Sequence, residues 1–395
     1  MRFKSIRYAD IEQYPTYFKL SQNIKEDFFG SSPAPFVGRY GYPNINVGLL
    51  APPETKDAWL HDAPRYWAAN NFPINTIADL RMSLINSRSK SHIKQQPKIT
   101  QLAQEIGLAS RPVDIEIHLK KKPSIKPLTD YIVTPMGPSA QIRSARITEN
   151  AKIHTKVQKV HDDTDLKANN ALQYLYKNNF DENMLTRILS VGSIGIGKNR
   201  KLVPTRWSIT AVDDTIGKEL IEKIKEHQEY EYSAYFGNFS GNYFLILCLS
   251  DIWSYELFEM YMPKTGMNKS VDLKYTTDHE LYDGRKTYAE NTAGGYYASR
   301  LPILESLSAQ KRQASVLVLR FITDEYTIPL GVWVVREAVR KAMSNKPLTF
   351  ASKELLLQYA QRFIKHRFNF EVTSILNKSQ LLKQKKEQRK LKDFG

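Results

Sequence analysis

Cysteine is nearly absent, since Cys248 stands alone in 395 residues. One thiol forms no disulfide within the chain and builds no cysteine-based zinc site, so the sequence fits an intracellular protein. Long apolar runs are missing too. No stretch approaches the ~18 apolar residues that a membrane helix needs, and the opening MRFKSIRYAD leads into no apolar signal region. The expectation is a soluble, untargeted, cytoplasmic chain with no membrane partner. There is no internal repeat and no heptad pattern. No Ser-His-Asp or Cys-His arrangement, D/E-x-K nuclease core or histidine-rich metal signature is evident, so catalytic residues stay unassigned and no metal ligand is predicted.

What the chain does have is positive charge. Fifty-seven Lys and Arg against forty-one Asp and Glu give +16, with a pI near 9.5. Seven basic residues, with Glu387 and Asp393, crowd the last eighteen positions, and leaving these out still leaves +11. The body itself is basic, which favours a polyanionic partner such as nucleic acid. A merely solvated basic surface is the alternative.

Strand and helix patterns mix without a βαβ rhythm, which predicts an α+β fold: a mixed-sheet body with several helices and a flexible basic C-terminal tail. Gly, Pro and aromatics punctuate residues 29–53, as suits turns between short strands. RPVDIEIHL alternates at period 2, as a half-buried strand does, with His118 on its polar face. Helices are expected over Lys98–Leu108 and near 163–178, 181–189, 292–310, 331–344 and 352–367. Strands are expected near 229–236, 243–250 and 315–323. SRSKSHIKQQPK reads as exposed and polar, 264–290 as a long irregular connection, Trp207–Val212 as a strand, and 214–227 as a helix capped by Asp213 or Asp214.

GSIGIGKN, from Gly192 to Asn199, misses the phosphate-binding loop G-x-x-x-x-G-K-[ST] at its last position. Asn199 replaces the hydroxyl that would hold Mg²⁺, and Pro204 would disrupt a helix begun at Lys198. An ATPase loop is therefore not expected. The glycines, with Lys198, Arg200, Lys201 and Arg206 after them, still suit an anion, or else form a plain turn beside a solvated basic segment.

Longer motifs carry a resemblance. GIGKNRKLVPTRWSITAVDD, with FVGRYGYPNINVG from Phe36 and AGGYYASRLPILE from Ala293, resembles the signatures of the archaeal Nre family of DNA repair proteins. FGNFSGNYFLILCLSDIWSYELFE is similar in arrangement. The resemblance implies an N-terminal-like region over 1–268 and a C-terminal-like region over 269–377, and the basic, apolar-poor composition of 378–395 marks a flexible tail or a weak helix. The resemblance also implies work in the DNA damage response, alongside excision-repair proteins and through the sliding clamp (PCNA), at the nucleoid. Many family members begin with a four-cysteine zinc module, which this chain lacks. Members commonly end in a clamp-binding peptide, and Gln388, Leu391 and Phe394 fall at its spacing. Gly395 stands where a second aromatic would be. A helical turn would set Leu391 and Phe394 on one side as apolar anchors.

An enzyme is the alternative: metal-dependent phosphodiester cleavage, or nucleotidyl or base modification. Its carboxylates would come from Asp162 and Asp163, Asp213 and Asp214, Glu229 and Glu231, or Glu256 and Glu259, and its cofactor would be a nucleotide or Mg²⁺. Arg39, Tyr40, Tyr42, Asn44 and Asn46 suit a nucleotide or a flipped base, with Trp207, Tyr297 and Arg300 completing the pocket. Alternatively these aromatics pack a core and Arg39 pairs internally.

Overall fold

The computed structural model describes residues 3–11, 25–124 and 132–387. Gln388, Leu391 and Phe394 lie outside the described residues. The chain divides into two units, Pro15–Ile216 with Ile328–Trp333, and Met1–Tyr14 with Gly217–Thr327 and Val334–Gly395. The strand β1 (Phe3–Ser5) belongs to the second of these.

The first unit is built on a six-stranded mixed sheet. Its strands are β2 (Asp27–Ser32), β3 (Ala34–Val37), β4 (Asn44–Ala51), β5 (Ile85–His92), β6 (Val113–Leu119) and β7 (Ser139–Ile147), in the order β2-β6-β7-β5-β4-β3. The period-2 pattern of RPVDIEIHL is realised in β6: Val113, Ile115, Ile117 and Leu119 are buried and the intervening residues half-buried. The helices are α1 (Pro64–Ala69), α2 (Ile74–Met82), α3 (Lys98–Leu108), α4 (Thr155–Asp162), α5 (Ala168–Lys177) and α6 (Glu182–Ser190). Ile99, Leu102, Ala103 and Ile106 of α3 join Ile45, Val47 and Leu49 of β4 in one core. Each fully buried aliphatic side chain there contributes about 1.5–3 kcal/mol.

Two expectations fail in this unit, the first in part. Ser87 to His92 is most of β5, with Ser87 and Ser91 buried, whereas Lys90 and Lys94 to Lys98 are exposed as expected. The strand is central, hydrogen-bonded to β4 on one side and β7 on the other, so its small polar side chains are covered. Trp207 to Val212 is not a strand either. It lies in α7 (Thr205–Lys225), where Pro204 O accepts from the amides of Trp207 and Ser208 at 2.8 and 3.0 Å. Ser208, Val212 and Ile216 recur at helical spacing and are buried, whereas Trp207 is exposed. Asp213 and Asp214 are thus interior helical residues and cap nothing. The helix is divided between the units at Ile216.

The second unit holds a seven-stranded mixed sheet, β1-β11-β10-β12-β9-β8-β13. Its later strands are β8 (Ser233–Phe239), β9 (Asn242–Leu249), β10 (Ser254–Tyr261), β11 (Leu273–Glu280), β12 (Ser315–Ile322) and β13 (Leu348–Thr349). The helices are α8 (Gly294–Gln310), α9 (Trp333–Ser344), whose first residue is assigned to the first unit, α10 (Lys353–Phe368), α11 (Thr373–Leu376) and α12 (Gln380–Glu387). β11 falls inside the stretch expected to be irregular, because its partner β10 satisfies its backbone in antiparallel register. β9 and β12 are buried at every position. With this architecture the protein is α+β.

The tail expectation is corrected in part. Residues 378–387 are not a free basic tail, because Leu381 and Leu382 of α12 are buried in the core with Leu356, Ala360 and Ile364 of α10. Glu256 of β10 sits at the start of α12. It accepts from the Ser379 hydroxyl and from the amides of Gln380 and Leu381 at 3.0 and 3.1 Å. A carboxylate at this end satisfies donors that have no partner within the helix.

Candidate functional site

In the first unit the turn between β3 and β4 and the start of α7 build one pocket. Val37 pairs with Val47 and Phe36 with Gly48 across β3 and β4, while Gly48 faces Arg88 and Leu50 faces Asn86 across β4 and β5. Strand alternation then puts Asn46, Gly48, Asn86 and Arg88 on one face of the sheet, and Ile45, Val47 and Leu49 on the core face. Gly48 lets the side chain of Asn86 lie close over the strand, because a Cβ there would overlap the Asn86 amide oxygen. The turn is closed by Asn44 N–H to Gly41 O at 2.8 Å, with Gly41 at φ +83°.

The helix end is fixed to this face by hydroxyls. Thr205 Oγ1 accepts from the amide of Val37 at 2.9 Å and lies 3.0 Å from Ser190 Oγ, which itself donates to Val203 O. Arg206 therefore lines the same pocket as Arg39 and Arg88. Trp207 lies against Tyr42, ring centroids 5.3 Å apart, and both are over 40% exposed at 44% and 43%. Arg39 donates to the Tyr40 hydroxyl at 3.0 Å and lies over that ring.

The pocket has a volume of about 730 Å³ including its open mouth, and Phe36, Val133 and Met136 supply much of its apolar wall. Its described lining includes three arginines and no carboxylate. Three buried polar atoms of residues that line it, Asn46 Oδ1, Asn86 Oδ1 and Arg88 Nε, have no hydrogen-bond partner within the protein. Such atoms cost about 1–3 kcal/mol each when left unmet, so a polar ligand there is favoured. Positive charge, an apolar wall and a few convergent polar atoms suit an anionic ligand with a flat apolar body.

Not every expected residue joins this pocket. Asn44 is exposed at the start of β4, and Tyr42 and Trp207 touch each other without lining the pocket. Lys198 is exposed on the single turn Gly197–Asn199. Arg200 is spent on the backbone: its Nε donates to Gly195 O at 2.8 Å and its Nη2 to Asp163 O at 2.9 Å. Burial, the larger influence, lowers its pKa against the opposing pull of Asp163 and Asp162. Asp213 is buried within α7 and Asp214 is half-buried.

Tyr297 and Arg300 belong to α8 of the second unit and line nothing in this pocket. Arg300 Nη1 donates to Glu280 Oε2 at 2.7 Å, and the Tyr297 hydroxyl accepts from the amide of Ala289 at 3.0 Å. One of the expected carboxylate pairs is explained internally too. Glu256 and Glu259 lie three residues apart on strand β10, so they point to opposite faces; Glu256 holds α12 and Glu259 pairs with Arg320. Among the described residues no group of three His, Cys, Asp or Glu side chains is placed to hold a metal ion. Among them, too, no helix is long and apolar enough to cross a membrane.

Asn86, Arg88, Thr134 and Met136 escaped the sequence reading. Asn86 and Arg88 sit in NSRSKSH, whose every-other-residue pattern of larger polar side chains among serines was the available signal. Thr134 and Met136 carry none.

Residues 7–268 match the family model described as archaeal Nre, N-terminal, and residues 280–394 match archaeal Nre, C-terminal. A protein of Archaeoglobus fulgidus named DNA repair protein NreB is 36% identical over 374 residues, covering 94% of this chain and 93% of the relative. DNA repair protein NreA of Haloferax volcanii is 38% identical over 80% of this chain and 78% of its own length. DNA repair protein NreA of Archaeoglobus fulgidus is 37% identical, with 85% of each covered. No solved structure gave a significant match.

Proposed function

This chain belongs to the archaeal Nre family, and from that premise we propose that it acts in DNA repair, holding DNA through the basic pocket of its first unit and recruiting the sliding clamp through its C-terminal peptide. The observation that carries the DNA contact is the gathering of Arg39, Arg88 and Arg206 around one pocket with no lining carboxylate, beside the exposed Tyr42–Trp207 pair. Guanidinium groups hold phosphates and exposed aromatic faces stack bases. The names of the relatives, each a DNA repair protein, support the setting.

Support for clamp recruitment is the Gln388, Leu391, Phe394 spacing, which follows α12 directly. Clamp binding would raise the concentration of the pocket at DNA. The test is a pair of titrations with the full-length protein at two salt concentrations. DNA binding should weaken with salt and weaken further in Arg206→Met. Clamp binding should be lost in Phe394→Ala at both salts. DNA affinity unaltered by Arg206→Met would remove the pocket from the proposal, and clamp affinity unaltered by Phe394→Ala would remove the peptide.

A further inference from the structure

We infer that the pocket seats a single base turned out of a DNA strand, and that it selects bases bearing an exocyclic amine. The inference rests on the DNA contact proposed above and specifies its ligand. A duplex backbone needs only surface cations. This site instead has depth, an apolar wall of Phe36, Val133 and Met136, and unpaired polar atoms at that wall.

The chemistry of those atoms defines the ligand. Asn46 Oδ1 and Asn86 Oδ1 are acceptors and Arg88 Nε is a donor, all buried and without partners. Asn86 is 3% exposed, and its amide nitrogen is turned to Met136 Sδ at 3.8 Å. A complementary edge offers two N–H donors beside one acceptor. Adenine and cytosine present this as an amino group next to a ring nitrogen, and guanine as its N1–H and amine beside O6. Thymine places one donor between two carbonyl acceptors, so at least one Asn oxygen would stay buried and unmet.

The mouth agrees with a nucleotide still attached to its strand. Arg39 and Arg206 line the pocket as phosphate-binding guanidiniums, and the Tyr42–Trp207 pair, next to Arg206 in sequence, offers a stacking face for a neighbouring base. Extruding a base costs unstacking energy, least where it is already unpaired. Damaged or bulged DNA is therefore the preferred substrate.

The experiment uses full-length protein and fluorescently labelled duplexes, identical except for one extrahelical A, C, G or T, with a fully paired duplex as reference. The expected result is that A, C and G bulges bind about tenfold more tightly than the T bulge. Asn86→Leu and Asn46→Leu, each checked for folding by its unfolding temperature, should bring the A, C and G bulges down to the T level while the paired duplex still binds. The wild-type comparison stands even where a variant fails to fold. Equal affinity for all four bulges, with paired DNA still bound, overturns base selection and leaves the DNA contact intact. A preference that survives both substitutions overturns the assignment of these amides. Absence of binding to every duplex overturns the inference together with the DNA contact beneath it.

Discussion

Nη1 of Arg300 lies 2.7 Å from Oε2 of Glu280, and the two side chains are 2% and 0% exposed. A guanidinium and a carboxylate this deep compensate each other, and removing one leaves the other as an uncompensated buried charge. Arg300→Met is therefore expected to destabilise the protein by about 3–5 kcal/mol, read by chemical denaturation. A loss below 1 kcal/mol would show the pair to be dispensable.

Trp207 is exposed at 44% and touches Tyr42. Trp207→Ala should leave the unfolding temperature nearly unchanged, because little of the ring is covered. It should weaken single-stranded DNA binding by about 1–3 kcal/mol, the range for removing one stacking partner. An unfolding temperature lowered by several degrees with unaltered DNA affinity would instead make the ring a packing element.

Arg200 fastens the glycine turn by donating to Gly195 O and Asp163 O. Arg200→Met should cost about 1–3 kcal/mol of stability, measured in urea, from the loss of charge-assisted hydrogen bonds. A DNA-binding defect with full stability would contradict this role.

Glu256 is held above the usual carboxylate range by burial, which outweighs the donors from Ser379, Gln380 and Leu381. The folded protein thus binds this proton more tightly than the unfolded chain. The associated stability is full below the unfolded pKa and is lost as pH rises through the folded one. Relative to Glu256→Gln, which does not ionise, the wild type should lose stability across that window and run parallel above it. Thermal unfolding of both proteins from acid to neutral pH checks the sign, and a relative gain on raising the pH is the contrary result.

Cys248 lies fully buried in β9, and burial pushes its thiol up to about 12. Since the thiolate is the reactive form, labelling by a disulfide reagent at pH 8 should be negligible in the native protein and complete on denaturation. Fast native labelling would show that the strand opens.

Much of the second unit was legible in the sequence because β9 and β12 are continuous apolar runs, and a strand buried on both faces needs no further signal. β5 was not legible. Its serines are buried by neighbouring strands that come from residues 44–51 and 139–147, and a polar run carries no mark of such cover. The Trp207 segment misled because WSITAV also fits alternation, and only the helix shows Ser208, Val212 and Ile216 on one side.

The sequence by itself determined the basic charge, the single thiol, the α+β class and, through its long motifs, the family. These follow from composition and from patterns a few residues apart. Tertiary structure alone decided which arginines share a pocket. Arg39, Arg88 and Arg206 are brought together by strand register and by the Thr205 hydroxyl, while Arg300 is drawn to Glu280 and Arg200 to backbone carbonyls. A guanidinium of any of these looks alike along the chain, and its role is set by what lies within hydrogen-bonding distance once the chain has folded.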